Sequence, residues 1–210
     1  MYKIHGFNLS FNAWKVLYVA EELGIEYAYT ALDPMKGEHK SAEHMKRHPL
    51  GKTPTLDHDG RYLFESGAIC RYLAAVEKSA LYPPDDAYQR ALVDQWMDFF
   101  SCHLGRWLGT LLFERVFRER FGMGQKNADV EKEALGFIEQ QMACVNDQLA
   151  ANPFLAGRAL TIADPFAFAY VETCEMSDLP LGAYPHLAKW FDSYRGRDAV
   201  RRAHAKLDRA

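Results

Sequence analysis

The chain has 210 residues, 49% of them hydrophobic, with a net charge of −3 and a pI near 6.2. That weak balance excludes nucleic acid as the main partner, and the hydrophobic share excludes a disordered chain. No apolar run approaches the roughly 20 residues that cross a bilayer, and the opening Met1-Tyr-Lys-Ile-His-Gly is too short for a signal peptide. No membrane role is therefore expected, and the cytoplasm is the expected compartment.

Tyr2 to His5 reads as a strand ended by Gly6. Ser10 precedes a helix in which Ala13, Val16, Leu17, Ala20 and Leu23 recur at helical spacing, and Gly24 stops it. Ile25 to Leu32 reads as a second strand. A polar segment, Asp33 to His48, holds one short helix around Ala42 to Lys46. Thr55-Leu56-Asp57 and Arg61 to Phe64 read as a hairpin around Asp59-Gly60, and Ser66 opens a helix through Ile69, Tyr72, Leu73 and Val76. The order β-α-β, loop, β-β-α predicts a four-stranded mixed sheet with helices on both sides over residues 1–78. Pro54 belongs at a strand's first residue or edge, and a bent-back Thr53 there would offer its backbone N–H and C=O to an added peptide strand.

Ser79 to Asp86, with Pro83-Pro84, reads as a linker. Beyond it strand signals vanish, and residues 85–210 read as an all-helical domain. Leu92, Trp96, Phe99, Phe100, His103, Trp107, Leu108, Leu111 and Leu112 predict one long amphipathic helix. Gly105 and Gly109 inside it each cost about 1 kcal/mol relative to alanine; a close helix approach or a cavity wall would explain them, and plain softness of that helix is the alternative. Val130 to Leu149 gives a second long helix. Thr161-Ile-Ala-Asp164 is a capping-box pattern opening a helix that is apolar nearly all round, and Leu187, Trp190, Phe191 and Tyr194 mark another. The basic tail, Arg197 to Ala210, reads as a solvated surface helix. The four cysteines, Cys70, Cys102, Cys144 and Cys174, have neither redox nor zinc spacing, and those in helical patterns read as small buried hydrophobes. No metal site and no cofactor is expected.

Several motifs in order carry a family resemblance: Gly6-x-x-x-Ser10-x-Asn12-x-x-Lys15-Val16, Gly37-Glu-His39-Lys40, His48-Pro-Leu-Gly-Lys-Thr-Pro54, Phe64-Glu65-Ser66-x-Ala68-Ile69 and Thr161-Ile-Ala-Asp164. The chain resembles the cytosolic glutathione transferases over nearly its full length, most of all the serine-type phi and theta classes and their bacterial relatives. The resemblance implies a thioredoxin-like N-terminal domain, a helical C-terminal domain, a homodimer, and glutathione as co-substrate with a small hydrophobic electrophile.

Glutathione attacks as a thiolate, so its thiol pKa must be lowered. Ser10, after the first strand and opening the first helix, is the expected thiolate stabiliser; a serine there is also an ordinary N-cap, and the Asn12 amide is the rival donor. Thr53 before Pro54 is expected to pair with the cysteinyl backbone. Glu65 and Ser66 are expected to hold the γ-glutamyl end, the first taking the amine and the second the carboxylate at a helix N-terminus. His39, Lys40 and Lys52 are expected at the glycine carboxylate; Lys52 stands where relatives often have glutamine. Arg47 and His48 read as surface residues, and Tyr2 as packing. The electrophile site is expected between the domains, with Phe7, Leu9 and Phe11 on one side and His103, Arg106 and Trp107 on the other. Conjugation is the leading activity. The alternatives are peroxide or disulfide reduction by the same thiolate and a non-catalytic glutathione-binding scaffold.

Overall fold

The structure is a computed structural model that describes residues 1–207. The chain divides into two compact units. The first is Met1–Asp85 together with the stretch from Gly196, and the second is Asp86–Arg195.

In the first unit the elements follow the expected order: β1 (Tyr2–Gly6), α1 (Phe11–Leu23), β2 (Tyr27–Ala31), α2 (Ala42–Met45), β3 (Thr55–His58), β4 (Arg61–Phe64) and α3 (Ser66–Val76). The sheet order is β2-β1-β3-β4, with β1 parallel to β2 and antiparallel to β3, and β4 antiparallel to β3. β2 starts later than the expected Ile25. Gly24 adopts a left-handed conformation at φ 67°, and the amides of Gly24 and Ile25 are spent on the Glu21 and Ala20 carbonyls that end α1. The hairpin turns through Asp59 at φ 52° and Gly60 at φ 81°, the pair of positive values a tight two-residue turn needs. Asp57 Oδ1 accepts from the Gly60 amide at 2.8 Å. Tyr2 packs as expected, its hydroxyl donating to Glu77 at 2.9 Å.

In the second unit the expected long helix is a broken one. α4 (Ala87–Phe99) passes through a wide i→i+5 turn at Phe100–Leu104 into α5 (Gly105–Leu112). A second such turn at Phe113–Phe117 leads to α6 (Arg118–Arg120). Gly105 sits where the first wide turn ends, and a Cβ there would lie 2.2 Å from the Phe100 carbonyl and 2.3 Å from the Tyr170 ring. Close helix approach accounts for that glycine. The remaining helices are α7 (Ala128–Ala151), α8 (Ala163–Val171), α9 (Thr173–Met176) and α10 (Pro185–Arg195). Every residue of α8 is buried.

The capping box before α8 closes as predicted. Thr161 Oγ1 accepts from the Ala163 amide, and Asp164 reaches back to the Thr161 amide at 3.1 Å. The Asp164 carboxylate also accepts from the Leu155 amide at 3.0 Å and from Trp190 Nε1 at 3.2 Å. Complete burial pushes its carboxyl up to about 6 against the pull of those donors.

The last helix, α11 (Asp198–Lys206), corrects two expectations. It belongs to the first unit, not to the helical domain, and it is not a solvated surface helix. Ala199, Val200 and Ala203 are buried, and the helix packs on α1. Its basic residues are engaged: Arg202 Nε donates to Glu21 at 2.7 Å and Arg197 Nε to Glu22 at 2.5 Å, while Tyr18 and His204 share a 2.8 Å hydrogen bond. The last residues of that predicted tail, 208–210, lie outside the described residues. Cys70 and Cys174 are buried as expected, whereas Cys102 and Cys144 are exposed.

Candidate active site

A cavity of about 170 Å³ in the first unit is lined by Asn12, His48, Lys52, Thr53, Pro54, Glu65 and Ser66. It gathers side chains from the start of α1, the loop before β3 and the start of α3. The Thr53–Pro54 bond is cis. The backbone N–H and C=O of Thr53 take no partner among the described residues, so the expected free edge is present.

The two helices that open here are capped unusually. Ser10 occupies the N-cap of α1 with extended backbone angles, yet its side chain makes no capping hydrogen bond. Its hydroxyl has no partner among the described residues. Glu65 occupies the N-cap of α3, again without a side-chain cap, at φ 69° and ψ 114°. A non-glycine residue held there carries about 1–3 kcal/mol of backbone strain, of the kind that clusters at ligand sites. Ser66 follows, 8% exposed, and lines the cavity.

The basic end is more divided than expected. Lys52 lines the cavity; His39, Lys40 and Ser10 do not. Lys40 Nζ donates to the Leu50 carbonyl at 2.7 Å. His39 is half-buried with Nδ1 sealed and unpartnered, and desolvation, then Lys40 and His44, hold its pKa below the usual histidine value. Gly51 brings the two loops together: at φ 56° it is left-handed, and a Cβ there would lie 2.5 Å from the His39 carbonyl. His44, 1% exposed, supports the same loop by donating from Nε2 to the Lys52 carbonyl at 2.8 Å.

Two cavity-side residues differ from expectation. His48 is not a surface residue: it is 4% exposed, its ring lies 4.8 Å from that of Phe64, and Nδ1 accepts from the Leu50 amide at 3.0 Å. Arg47 is largely covered as well, pairing with Glu43 at 2.8 Å. Lys15, quoted above only within a motif, is 1% exposed on α1 with its ammonium 5.3 Å from the centre of the Phe11 ring. Burial pushes its pKa down to about 7, against the pull of Cys70 and Glu65.

Of the residues expected around an electrophile, Phe11 is half-buried in the first unit. In the second unit, Trp107 stacks on Phe137 at 4.4 Å and 8°, with the Arg106 guanidinium 4.9 Å from its ring, while His103 is exposed.

Residues 2–75 match the family model of the glutathione S-transferase N-terminal domain, and residues 105–198 that of the C-terminal domain. A probable glutathione S-transferase of Oryza sativa subsp. japonica, GSTF2, is 31% identical over 199 residues, covering 93% of this chain and 92% of its own. The chain belongs to the glutathione S-transferase family.

Within this family, the solved structure of glutathione S-transferase I from Mais, in complex with an atrazine glutathione conjugate, superposes with a TM-score of 0.90 at 28% identity, covering 99% of this chain and 98% of that one. The sheet and α1–α3 are thus the thioredoxin-like half of a glutathione S-transferase, and α4–α10 build its helical half. The chain is also similar to a different kind of protein. Elongation factor 1-gamma 3 of Oryza sativa subsp. japonica is 31% identical over 165 residues, which cover 79% of this chain but 37% of that longer protein.

Proposed function

We propose that this glutathione transferase activates the thiol of glutathione through the Ser10 hydroxyl and the N-terminus of α1, and transfers the sulfur to small hydrophobic electrophiles. The observation that carries this reading is the uncommitted Ser10 hydroxyl. A serine serving only as an N-cap would bond an amide of the first turn; this one does not. A free thiol titrates near 8.5, and lowering it by about two units takes roughly 2.7 kcal/mol of preferential stabilisation of the thiolate. One hydroxyl donating to an anionic sulfur, beside a helix N-terminus, is of that size. The thiolate then attacks an electrophilic carbon: a C–S bond forms, and the leaving group departs with its bonding electrons.

The tripeptide follows from the cavity walls. The unpaired backbone of Thr53 takes the cysteinyl residue as an added strand. Ser66 and the first amides of α3 take the γ-glutamyl carboxylate, and Glu65 takes the amine. Lys52, with His39 and Lys40 behind it, gives the glycine carboxylate a cationic end. Phe11, His103 and Trp107 are the proposed contacts of the electrophile, and a homodimer is the proposed assembly.

Conjugation of chlorodinitrobenzene tests the reading. Ser10→Ala should retain glutathione binding while losing about a hundredfold in rate. Near-full activity in that variant would move the role to Asn12. The match to elongation factor 1-gamma favours a second reading, a non-catalytic glutathione-binding module. A module of that kind leaves the bound thiol's pKa at its free value, whereas the transferase lowers it.

A further inference from the structure

His48 stands out within the cavity. It was expected at the surface, yet it lines the pocket at 4% exposure. Its Nδ1 accepts from the Leu50 amide, so in the neutral ring the proton sits on Nε2. Burial, the largest influence, holds the ring below the usual histidine pKa and so favours that neutral form. Nε2 has no hydrogen-bond partner among the described residues, and His48 forms no ion pair with Glu65 across the pocket. A histidine fixed on one side by a backbone amide and packed against Phe64 presents a preset donor on its other side.

We infer that His48 Nε2–H is a ligand-binding donor of this site and donates to the carboxylate of the glycine end of the bound peptide. The inference rests on the glutathione reading above. The end is chosen by the loop: His48 and Lys40 grip the same residue, one taking the Leu50 amide and the other donating to the Leu50 carbonyl, and Lys52 shares the cavity wall with His48. His48 shares the cavity wall with Glu65 as well as Lys52, and it is the hold of its loop on Leu50, together with Lys40, that sets its Nε2–H at the cationic end, where an anionic oxygen is the complementary ligand.

Titration calorimetry tests this with two ligands, glutathione and its glycyl monoethyl ester. His48→Asn keeps a short acceptor for the Leu50 amide, as an Asx turn does, but has no donor reaching as far as Nε2. His48→Phe removes the side-chain donor altogether and keeps a ring against Phe64. Both should bind glutathione about ten- to thirtyfold more weakly than wild type, in keeping with a hydrogen bond to a charged group. The ester should bind wild type more weakly than glutathione, and that penalty should shrink in both variants because the contact is already gone. His48→Gln, whose amide reaches the Nε2 position, should recover most of the affinity. An unchanged glutathione affinity in the Asn and Phe variants, or an equal ester penalty in all proteins, overturns the role of His48. Failure of wild type to bind glutathione at all overturns the site reading itself.

Discussion

The helix N-termini at the candidate site contrast with those that side chains close elsewhere, although α11 also starts without a side-chain cap. At α8 the first turn is closed by Thr161 and Asp164, whose buried atoms also tie in Leu155 and Trp190. α4 and α7 are closed in the ordinary way: Asp86 Oδ1 accepts from the Tyr88 and Gln89 amides, both at 3.0 Å, and Asn127 Oδ1 from the Asp129 amide at 3.0 Å and the Val130 amide at 3.3 Å. α1 and α3 begin beside the candidate site and have no side-chain cap at all, although Ser10 has a suitable group in place. A helix start without a cap leaves donors unsatisfied. At α1 a cap is available and unused, which is the ground for the thiolate role proposed for Ser10.

The largest expected effect is at the closed end. Asp164→Ala leaves the Leu155 and Thr161 amides and the Trp190 indole without their buried acceptor, at about 1–3 kcal/mol each, so unfolding in urea should show a loss of about 3 kcal/mol or more. A loss below about 1 kcal/mol would break the distinction between the two kinds of terminus.

Acid should act next, and in opposite senses on the two units. His5 in β1 is 8% exposed with Nε2 sealed and unpartnered, and desolvation, then Arg47 and His44, push it down to about 4. Its folded pKa is below its unfolded value near 6.5, so the unfolded chain binds more protons between them. His5 therefore contributes a stability that falls as pH drops from about 6.5 to 4, by up to about 3 kcal/mol. Asp164, raised to about 6, has the opposite sign: its contribution is greatest at low pH and is lost as pH rises through 6. Denaturation curves of His5→Gln across that range should slope less than wild type; an unchanged slope would mean that His5 is not the titrating group.

At the open end the effects fall on the ligand. Ser66→Ala should weaken glutathione about tenfold in a direct binding measurement, with little change in melting temperature. Smallest of all is the contrast between two N-cap substitutions. Asn127→Ala should cost about 1 kcal/mol of stability as an ordinary lost cap, while Ser10→Ala should stay within about 0.5 kcal/mol of wild type because its hydroxyl caps nothing.

Much of this was legible in the sequence because the signals were local. Gly24 ending α1, Asp59-Gly60 turning the hairpin and the Thr161–Asp164 box each act over a few residues, and spacing reveals them. Ser10, Glu65 and Ser66 stood out as candidates because they sit where a strand or loop meets a helix, and Thr53 because it precedes the proline that leads into β3. The features that escaped depend on partners far along the chain. His48 lies in a loop with no periodicity, and its ring packs on that of Phe64 in β4. α11 joins the first unit through pairs such as Arg202 with Glu21, which no local pattern records. The wide turn before Gly105 answers the Tyr170 ring on another helix. That the Ser10 hydroxyl is idle could not be read at all, since a serine before a helix looks the same whether it caps or not.

The idle hydroxyl is the centre of the account, and the thiol it is proposed to serve can be titrated directly. Thiolate absorbance of enzyme-bound glutathione should be followed against pH in wild type and in Ser10→Ala. Wild type should show a pKa about two units below the free thiol's value near 8.5, and Ser10→Ala should return it most of the way. Equal depression in both proteins, or none in wild type, would contradict the assignment of Ser10.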